Sequence, residues 1–424
     1  MSQHRIEHTT SCASDWEADA LSVTDARQHI LGQITPVAHQ QIRPLRDCLG
    51  QILAESVTSP RNVPGHTNSA MDGYALSGDD LPADSIETFR VSGRAMAGVA
   101  FDGVCQAGEC VRIMTGAMLP AGTDSVVMQE QASSSTDAAG NEWVKIGTGH
   151  RRGQNVRHAG EDIAQGAQVF KAGHKITAAD LGMLASLGIA ELSVKRRLRV
   201  AFFSTGDELR SLGEVLENGQ IYDSNRYTLH GMLQQCGVDI IDLGVVADDA
   251  EKLREAFDCA ASMADVVITS GGVSVGEADY IKPTLRRMGE INFWKIAMKP
   301  GRPLTYGRLG QAHFFGLPGN PVAVMVTFLQ FVKPALEKLS GYHAPPPLRL
   351  KARCQDAIRK RPGRTEFQRG IYTQGEDGEL TVRLTGAQGS GILRSMSLAN
   401  CFIILSEEQG SVSAGDWVQL EPIN

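Results

Sequence analysis

The sequence has no two cysteines at the CxxC spacing of a structural zinc site. Its 8 cysteines are scattered over 424 residues without paired spacing, which argues against both a zinc site and a disulfide framework. We expect reduced, mostly buried thiols that take no part in catalysis.

Positive charge is also scarce. The 41 lysines and arginines are outnumbered by 48 aspartates and glutamates, giving a formal net charge of -7. Proteins that bind nucleic acids draw most of their non-specific affinity from an excess of basic charge. The composition therefore predicts that this chain has no nucleic-acid partner.

Long apolar runs are missing. The longest, near residues 322–332, is too short and too interrupted to span a bilayer. The first 20 residues are polar and lack the apolar segment of a secretion signal. We expect no membrane association, a cytoplasmic location, and a disordered tail over residues 1–20.

Several familiar motifs are absent as well. The sequence has no P-loop and no GxGxxG after a predicted strand, so ordinary kinase and dehydrogenase functions lack their expected motif. It also has no HExxH. We expect His66, His158 and His230 to pack or lie at the surface rather than bind a metal.

What is present is a chain long enough for several hydrophobic cores, with a residue pattern that changes along its length. Short β-like runs broken by Gly and Pro are flanked by helical patterns, and from Leu198 strand-like runs alternate with helical ones. We predict a multidomain α/β plus β fold. Its parts are the disordered tail (1–20), a linking layer of helix and strand (21–65 and 155–192), an inserted small β-rich domain (66–154), a central α/β domain with a mainly parallel sheet (193–342) and a C-terminal β domain (343–424).

Helix boundaries carry local signals. Thr24 is a predicted N-cap, "TAAD" from Thr177 resembles a capping box, and Gly188 stands where a C-terminal cap glycine belongs. Asn320 and Pro321 have the types expected at the cap and first position of another helix.

The loops that follow the predicted parallel strands are rich in chemistry. In such sheets ligands bind beyond the carboxyl ends of the strands. Backbone N–H groups of glycines can cradle a phosphate, basic side chains neutralise it, and carboxylates hold Mg²⁺. Taken singly, Ser274, Asp248 and Lys295 are better explained as ordinary turn, cap or surface residues. Their convergence on one sheet edge favours a site for an anionic, nucleotide-like ligand. The groups in these loops are Gly271, Gly272, Gly276, Glu208, Asp279, Lys295, Lys299 and Arg302.

An ordered series of motifs makes the chain resemble the molybdopterin molybdenumtransferases, the MoeA and gephyrin E-domain family. The series is "NSAMDGYA", "RIMTGA", "GEDI", "STGDEL", "IYDSN", "TSGGVSVGEADY", "MKPGRP" and "GLPGNP", and the match runs from about residue 20 to the C-terminus. The resemblance implies an elongated homodimer with four domains per subunit. It also implies adenylylated molybdopterin and molybdate as substrates, with release of AMP. Transient contact with the molybdopterin adenylyltransferase and with acceptor molybdoenzymes is expected.

The resemblance also implies site residues. The catalytic set is Asp72, Thr115, Asp162, Glu208, Asp248 and Asp279. The substrate-binding set is Gly271, Gly272, Ser274, Gly276, Lys295, Lys299, Arg302, Pro318, Pro321, Arg369 and Ser390, the last two approaching from the C-terminal domain. The expected cofactor is Mg²⁺, with Asp248, Asp279 and Glu208 as its ligands. The sequence departs from the family at Arg302, where a second lysine is common; the positive charge is kept, but the geometry at an oxyanion changes.

The individual roles differ. Asp248 and Asp279 are the best metal ligands by type and position, whereas Glu208 and Asp72 suit positioning or proton transfer. Asp162 has an equally good structural explanation as part of a salt-bridged turn. Two other functions stay open: a related transferase that makes the adenylylated pterin, and a non-catalytic scaffold like the gephyrin relatives. The additional domains argue against the first, and the full acidic set argues against the second.

Overall fold

A computed structural model of the chain describes residues 20–271 and 281–423. They form two compact units. Unit I consists of Ile42–Leu49 and Leu53–Val194; unit II consists of the described residues up to Gln41, Gly50–Ile52 and the chain from Lys195 onward.

The first helix, α1 (Val23–Gly32), belongs to unit II. Its N-cap is Ser22, whose hydroxyl oxygen accepts a hydrogen bond from the Asp25 amide at 3.0 Å. The prediction that Thr24 caps this helix was wrong, because Ser22 lies one residue before the first helical position. Ala26 and Ile30 are buried in the core of unit II.

Unit I is built on a six-stranded sheet whose two faces each carry a hydrophobic core. In chain order its elements are β1 (Gln40–Pro44, which starts at the unit boundary), a 3₁₀ helix (Leu45–Asp47), β2 (Val57–Thr58), β3 (Asn68–Ser69), β4 (Gly73–Leu76), a 3₁₀ helix (Gly78–Asp80), β5 (Glu87–Ala95), β6 (Glu109–Ile113), β7 (Ser125–Met128), a 3₁₀ helix (Gln129–Gln131), β8 (Ala132–Thr136), β9 (Glu142–Ile146), β10 (Val156–Arg157), β11 (Gln168–Phe170), α2 (Ala178–Ser186) and β12 (Glu191–Lys195). The sheet order is β7-β4-β6-β5-β9-β8. The predicted small β-rich domain is therefore present.

Shorter pairs flank this sheet. Strand β2 pairs with β11, and β3 pairs with β10, both antiparallel. The capping box predicted at Thr177 is confirmed, since Thr177 and Asp180 exchange side-chain and backbone hydrogen bonds at the start of α2. Gly188 follows the helix with φ 75°, a left-handed conformation that favours glycine.

Unit II contains the α/β layers and a C-terminal β domain. After α1 its elements are β13 (Arg199–Thr205), β14 (Leu209–Arg210), β15 (Ile221–Tyr222), α3 (Ser224–Cys236), β16 (Asp239–Val246), α4 (Ala250–Met263), β17 (Val266–Ser270), α5 (Ile281–Met288), β18 (Gly289–Lys295), β19 (Met298–Lys299), β20 (Pro303–Leu309), β21 (Ala312–Leu317), α6 (Pro321–Thr327), a π-helical segment (Phe328–Val332), α7 (Lys333–Leu339), β22 (Leu350–Cys354), β23 (Thr365–Gln374), β24 (Leu380–Leu384), α8 (Leu393–Leu398), β25 (Cys401–Leu405) and β26 (Trp417–Pro422). Helix α6 begins at Pro321 with Asn320 as cap residue, as predicted.

The α/β sheet has the strand order β16-β13-β17-β21-β20-β18. Its first four strands are mutually parallel, and β20 and β18 are antiparallel to their neighbours. Every residue of β17 is buried, because helices cover both faces. Val266 and Ile268 face the core shared with α1, α3, α6 and α7, while Val267 faces the core shared with α4 and α5. The predicted mainly parallel sheet is confirmed.

The C-terminal β domain closes on itself. Its sheet runs β19-β23-β24-β22-β26-β25, and β23 also pairs with β25. Strand β19, from the α/β part of the chain, joins this sheet beside β23. The sequence boundaries assigned to the individual domains stay predictions.

Candidate active site

The carboxyl edge of the parallel sheet brings several predicted loops together. In the strand register Ser270 lies beside Ser204 and Leu317, and Thr205 lies beside Val246. Because these strands are parallel, the segments that follow them leave the sheet at one edge. This is the edge at which the sequence predicts an anionic ligand.

Gly271 lies at this edge with φ +90°, and a Cβ there would stand 2.5 Å from the Thr205 carbonyl oxygen. Only glycine allows the strand ends to approach so closely. Four other predicted residues, Gly272, Ser274, Gly276 and Asp279, lie outside the described residues.

The predicted acids Glu208 and Asp248 follow the neighbouring strands β13 and β16. The exposed Glu208 carboxylate folds over Gly206, where a Cβ would stand 2.6 Å from Glu208 Oε2. The Asp248 amide donates to Asp207 Oδ1 at 3.2 Å. The cap of α4 is Asp249, whose Oδ1 accepts from the Glu251 and Lys252 amides. Asp248 is therefore not needed as a helix cap.

These acids bear on metal binding. Within residues 20–271 and 281–423, no three His, Cys, Asp or Glu side chains group closely enough to hold a metal ion. The predicted third ligand, Asp279, lies outside those ranges. Mg²⁺ is commonly held by one or two carboxylates together with substrate phosphates and water. Glu208 and Asp248 follow adjacent strands of one sheet, and their carboxylates are the type of ligand that this ion prefers.

Basic residues lie at the same edge. Lys295 ends β18 opposite Pro303, the first residue of β20. Strand β20 runs antiparallel to β21, so these ends lie at the edge where β21 ends. The Arg302 carbonyl oxygen accepts from the Ile296 amide at 2.7 Å, which closes the turn that contains Lys299. The structure thus brings the three predicted cations to one turn.

Two residues of the "IYDSN" motif were not assigned a role from the sequence. Asn225, largely buried, donates from Nδ2 to the Gly319 carbonyl oxygen at 2.7 Å, which ties α3 to the "GLPGNP" turn. Asp223 caps α3, with its side chain accepting from the Arg226 amide at 3.1 Å. In the part of the chain that the structure describes, Asp223 Oδ2, Asn225 Oδ1 and Thr205 Oγ1 are buried without a hydrogen-bond partner. A buried polar atom without a hydrogen-bond partner lowers the stability of the fold. At this edge, water or a bound ligand could supply the missing partners.

The C-terminal domain reaches the same turn within one chain. The Ser390 carbonyl oxygen accepts from the Val322 amide at 3.0 Å, in the first turn of α6 and close to the predicted Pro318 and Pro321. The role of Ser390 in substrate binding, which the resemblance implies, stays a prediction. The hydrogen bond to Val322 lies within one chain.

Arg369 is placed differently from a ligand-contacting arginine. Its side chain is 1% exposed and donates to Ser395 Oγ and to the carbonyl oxygens of Phe367 and Gly389. Burial lowers the pKa of Arg369 to about 10. These contacts fix the loop that precedes Ser390, so Arg369 supports this loop from inside the domain.

Unit I contains a second group of predicted residues. Thr115 donates to Asp72 Oδ1 from both its amide and its hydroxyl, each at 2.7 Å. The hydroxyl hydrogen bond, followed by the amide hydrogen bond, lowers the pKa of Asp72. Asp72 is therefore held ionised, as an acceptor or a base requires.

Asp162 is exposed on the "GEDI" turn. The turn is held through its backbone, with the Asp162 amide donating to the Val63 carbonyl oxygen at 3.1 Å, and through Glu161, which accepts from the His158 amide. Among the described residues the Asp162 carboxylate has no salt-bridge partner. The salt-bridged-turn explanation is therefore not supported for this residue.

Other predictions concern thiols and histidines. The seven described cysteines are free, and five of them are buried, as predicted. His66 and His158 are exposed and His230 is half-buried.

Among the described helices, none is long and apolar enough to cross a bilayer.

Known protein families match most of the chain. Residues 21–188 match the MoeA N-terminal region (domain I and II), residues 201–338 match a probable molybdopterin binding domain, and residues 351–423 match the MoeA C-terminal region (domain IV). These matches cover both the unit I sheet and the edge described above.

Individual relatives match over nearly the whole chain. A molybdopterin molybdenumtransferase of Haemophilus influenzae is 44% identical over 95% of this chain and 99% of its own. Gephyrin of Dictyostelium discoideum is 33% identical over 89% of this chain and 59% of its own. The crystal structure of a molybdopterin biosynthesis moeA protein from Pyrococcus horikoshii OT3 matches with a TM-score of 0.83 and 27% identity, covering 96% of this chain and 100% of that one. The chain belongs to the molybdopterin molybdenumtransferase family.

Proposed function

We infer that this chain is a transferase of molybdenum cofactor biosynthesis that inserts molybdate into adenylylated molybdopterin and releases AMP. The observation that carries this function is its similarity to a molybdopterin molybdenumtransferase over 95% of the chain. The sheet edge supports it, because glycine, acidic and basic residues suited to two anionic substrates meet there.

The chemistry calls for these residue types. The phosphoanhydride of the adenylylated pterin must be cleaved while molybdate is held near the dithiolene, and both substrates carry negative charge. Lys295 and Lys299 neutralise phosphoryl and molybdate oxygens, and the glycine-rich sequence that begins at Gly271 is expected to supply backbone amide donors. Water or a molybdate oxygen completes the cleavage, and AMP leaves.

We propose Mg²⁺ as the cofactor, held by Glu208 and Asp248, with Asp279 as the third ligand expected from the sequence. When bound, the ion supplies positive charge to phosphoryl oxygens of the anhydride. We propose that Glu208 positions or deprotonates the attacking group. The hydrogen bonds from Thr115 favour the ionised form of Asp72, which suits the positioning or proton-transfer role that the sequence predicts for that residue.

Further proposals concern the setting of the reaction. We propose a homodimer in the cytoplasm, with transient contacts to the adenylyltransferase that supplies the pterin and to the molybdoenzymes that accept the product. Nucleic acid and membranes are not proposed as partners. These proposals are supported by the family membership and by the acidic composition.

The alternatives differ in what they consume. Purified protein is incubated with adenylylated molybdopterin, molybdate and Mg²⁺, and separately with molybdopterin and ATP. Release of AMP with formation of molybdenum cofactor is expected. Consumption of ATP with free molybdopterin would instead identify an adenylyltransferase, and no turnover in either mixture would leave a scaffold.

A further inference from the structure

We propose that Glu366, in the C-terminal β domain, is a positioning residue for Lys299 and sets the affinity of the site for molybdate. This inference rests on the proposed function, because it assigns Lys299 to an oxyanion substrate.

The backbone fixes the two residues side by side. Strands β19 and β23 are parallel, and their register places Lys299 opposite Glu366. The Thr365 amide donates to the Ala297 carbonyl oxygen at 2.9 Å next to this pair. The lysine of the α/β sheet edge therefore faces a carboxylate of another domain in the same chain.

The side chains form an asymmetric ion pair. Lys299 Nζ lies 3.5 Å from Glu366 Oε1, and the lysine side chain is 53% exposed whereas that of the glutamate is 7% exposed. A buried carboxylate needs a counter-charge, because isolated charge is costly away from water. The half-exposed lysine supplies that charge and keeps access to a ligand from the solvent side.

A buried amide holds the carboxylate in turn. Gln368 Nε2 donates to Glu366 Oε2, and Gln368 is 5% exposed. Burial lowers the pKa values of the nearby Lys360 and Arg369, and the charge of Glu366 opposes this at both residues. The Glu366 carboxylate therefore interacts with three basic side chains, those of Lys299, Lys360 and Arg369.

Two effects of Glu366 on an oxyanion have opposite signs. Its charge repels the oxyanion, so a simple electrostatic argument predicts tighter molybdate binding when the charge is removed. Its contact with Lys299 restrains a flexible four-carbon side chain, which lowers the entropy lost when the ammonium meets a ligand. The geometry favours the second effect, because the lysine is held by a partner that cannot itself turn away.

The test compares Glu366→Gln with the wild-type protein, using AMP release from adenylylated molybdopterin at varied molybdate. We expect the KM for molybdate to rise about tenfold, which corresponds to about 1.4 kcal/mol, with kcat changed by less than about threefold. Glu366→Asp, which keeps the charge on a shorter stem, should recover part of the affinity. Glu379→Gln is the matched control, since Glu379 pairs with Arg353 at 3.1 Å on the surface of the same domain; its KM should not change.

A double-mutant cycle ties the effect to Lys299. In a Lys299→Ala background, Glu366→Gln should raise the KM for molybdate no further. An unchanged or lowered KM in the single Glu366→Gln variant overturns the proposal, and so does an equal rise in the Lys299→Ala background. Thermal unfolding checks the fold of each variant. If Glu366→Gln does not fold, Glu366→Asp decides in its place, with a raised KM supporting the proposal and an unchanged KM overturning it. Absence of AMP release by the wild-type protein would instead refute the proposed function.

Discussion

Thr115 donates two hydrogen bonds to a single oxygen of Asp72, one from its amide and one from its hydroxyl, each 2.7 Å long. The two residues are 43 positions apart in the sequence. Each of these hydrogen bonds favours the ionised carboxylate and lowers the pKa of Asp72. The pair therefore acts as one unit, in which Thr115 stabilises the ionised form of Asp72.

Removing the Thr115 hydroxyl should raise the Asp72 pKa. Thr115→Val deletes the larger of the two stabilising hydrogen bonds and leaves the amide in place. NMR titration of the carboxyl, assigned with Asp72→Asn, is expected to show the pKa rising toward its ordinary value. The acid limb of the activity profile should then move to higher pH, because a higher pH is needed to ionise Asp72. Thr115→Ser keeps the donor and should leave both unchanged; an unshifted titration in Thr115→Val would show that the hydroxyl does not control this charge.

The thiols should be dispensable for turnover. Burial raises the pKa of Cys105 to about 11 and that of Cys110 to about 12, so both remain protonated and weakly nucleophilic at neutral pH. Replacing each by serine should leave kcat within a few-fold in folded protein. Among the seven cysteines that the structure describes, an alkylating reagent should label the exposed Cys259 first. A loss beyond about a hundredfold, or about 2.7 kcal/mol of transition-state stabilisation, would contradict this.

Metal binding and ligand clamping should separate by mutation. Asp279→Ala is expected to lower the rate of AMP release by about a hundredfold or more while leaving much of pterin binding intact. The reason is that a Mg²⁺ ligand would stabilise the negative charge that develops in the transition state. Lys299→Ala should show the larger affinity defect, and that defect should shrink as salt rises. The measurement is AMP release with varied Mg²⁺, pterin and salt.

The control for Asp279→Ala is Asp279→Asn, which replaces the side-chain carboxylate with an amide. Asparagine keeps the capacity to cap the helical pattern after "GEADY" but binds Mg²⁺ poorly. Near-wild-type AMP release by a folded Asp279→Asn protein at saturating Mg²⁺ would reject the metal-ligand role and favour the cap.

Asn225 should stabilise the "GLPGNP" turn. Asn225→Ala removes the 2.7 Å hydrogen bond to Gly319 and leaves that carbonyl oxygen without this donor, which should lower the free energy of unfolding by about 1 kcal/mol. Asn320→Ala is the control, because Asn320 caps α6 without a side-chain hydrogen bond; its change should stay within about 0.5 kcal/mol. Denaturant unfolding compares the two, and equal effects would argue against a specific role for Asn225.

The protein should sediment as a homodimer. This expectation rests on the family, since Ser390 reaches α6 within its own chain. Analytical ultracentrifugation at micromolar concentration checks it, and a fully active monomer would be incompatible with it.

Much of this protein is determined locally by its sequence. The capping box at Thr177 and the start of α6 at Pro321 depend on residues within one helical turn, and both were predicted correctly. Strand-like runs separated by helical segments predicted the mainly parallel sheet, and the order of strands and loops predicted that glycine, acids and lysines lie at one edge. The motif series identified the family. Local signals fail where neighbours compete, as when Ser22 rather than Thr24 caps α1.

Only the tertiary structure decided which distant side chains touch. Thr115 joins Asp72, and Glu366 joins Lys299, through strand pairings that bring together segments far apart in the sequence. The same holds for Asn225, whose contact with Gly319 crosses from α3 to the end of β21. Arg369 looks like a ligand-binding arginine in the sequence, but the closed β domain buries it. Such contacts depend on strand register and burial, and these cannot be determined from the residues adjacent in sequence.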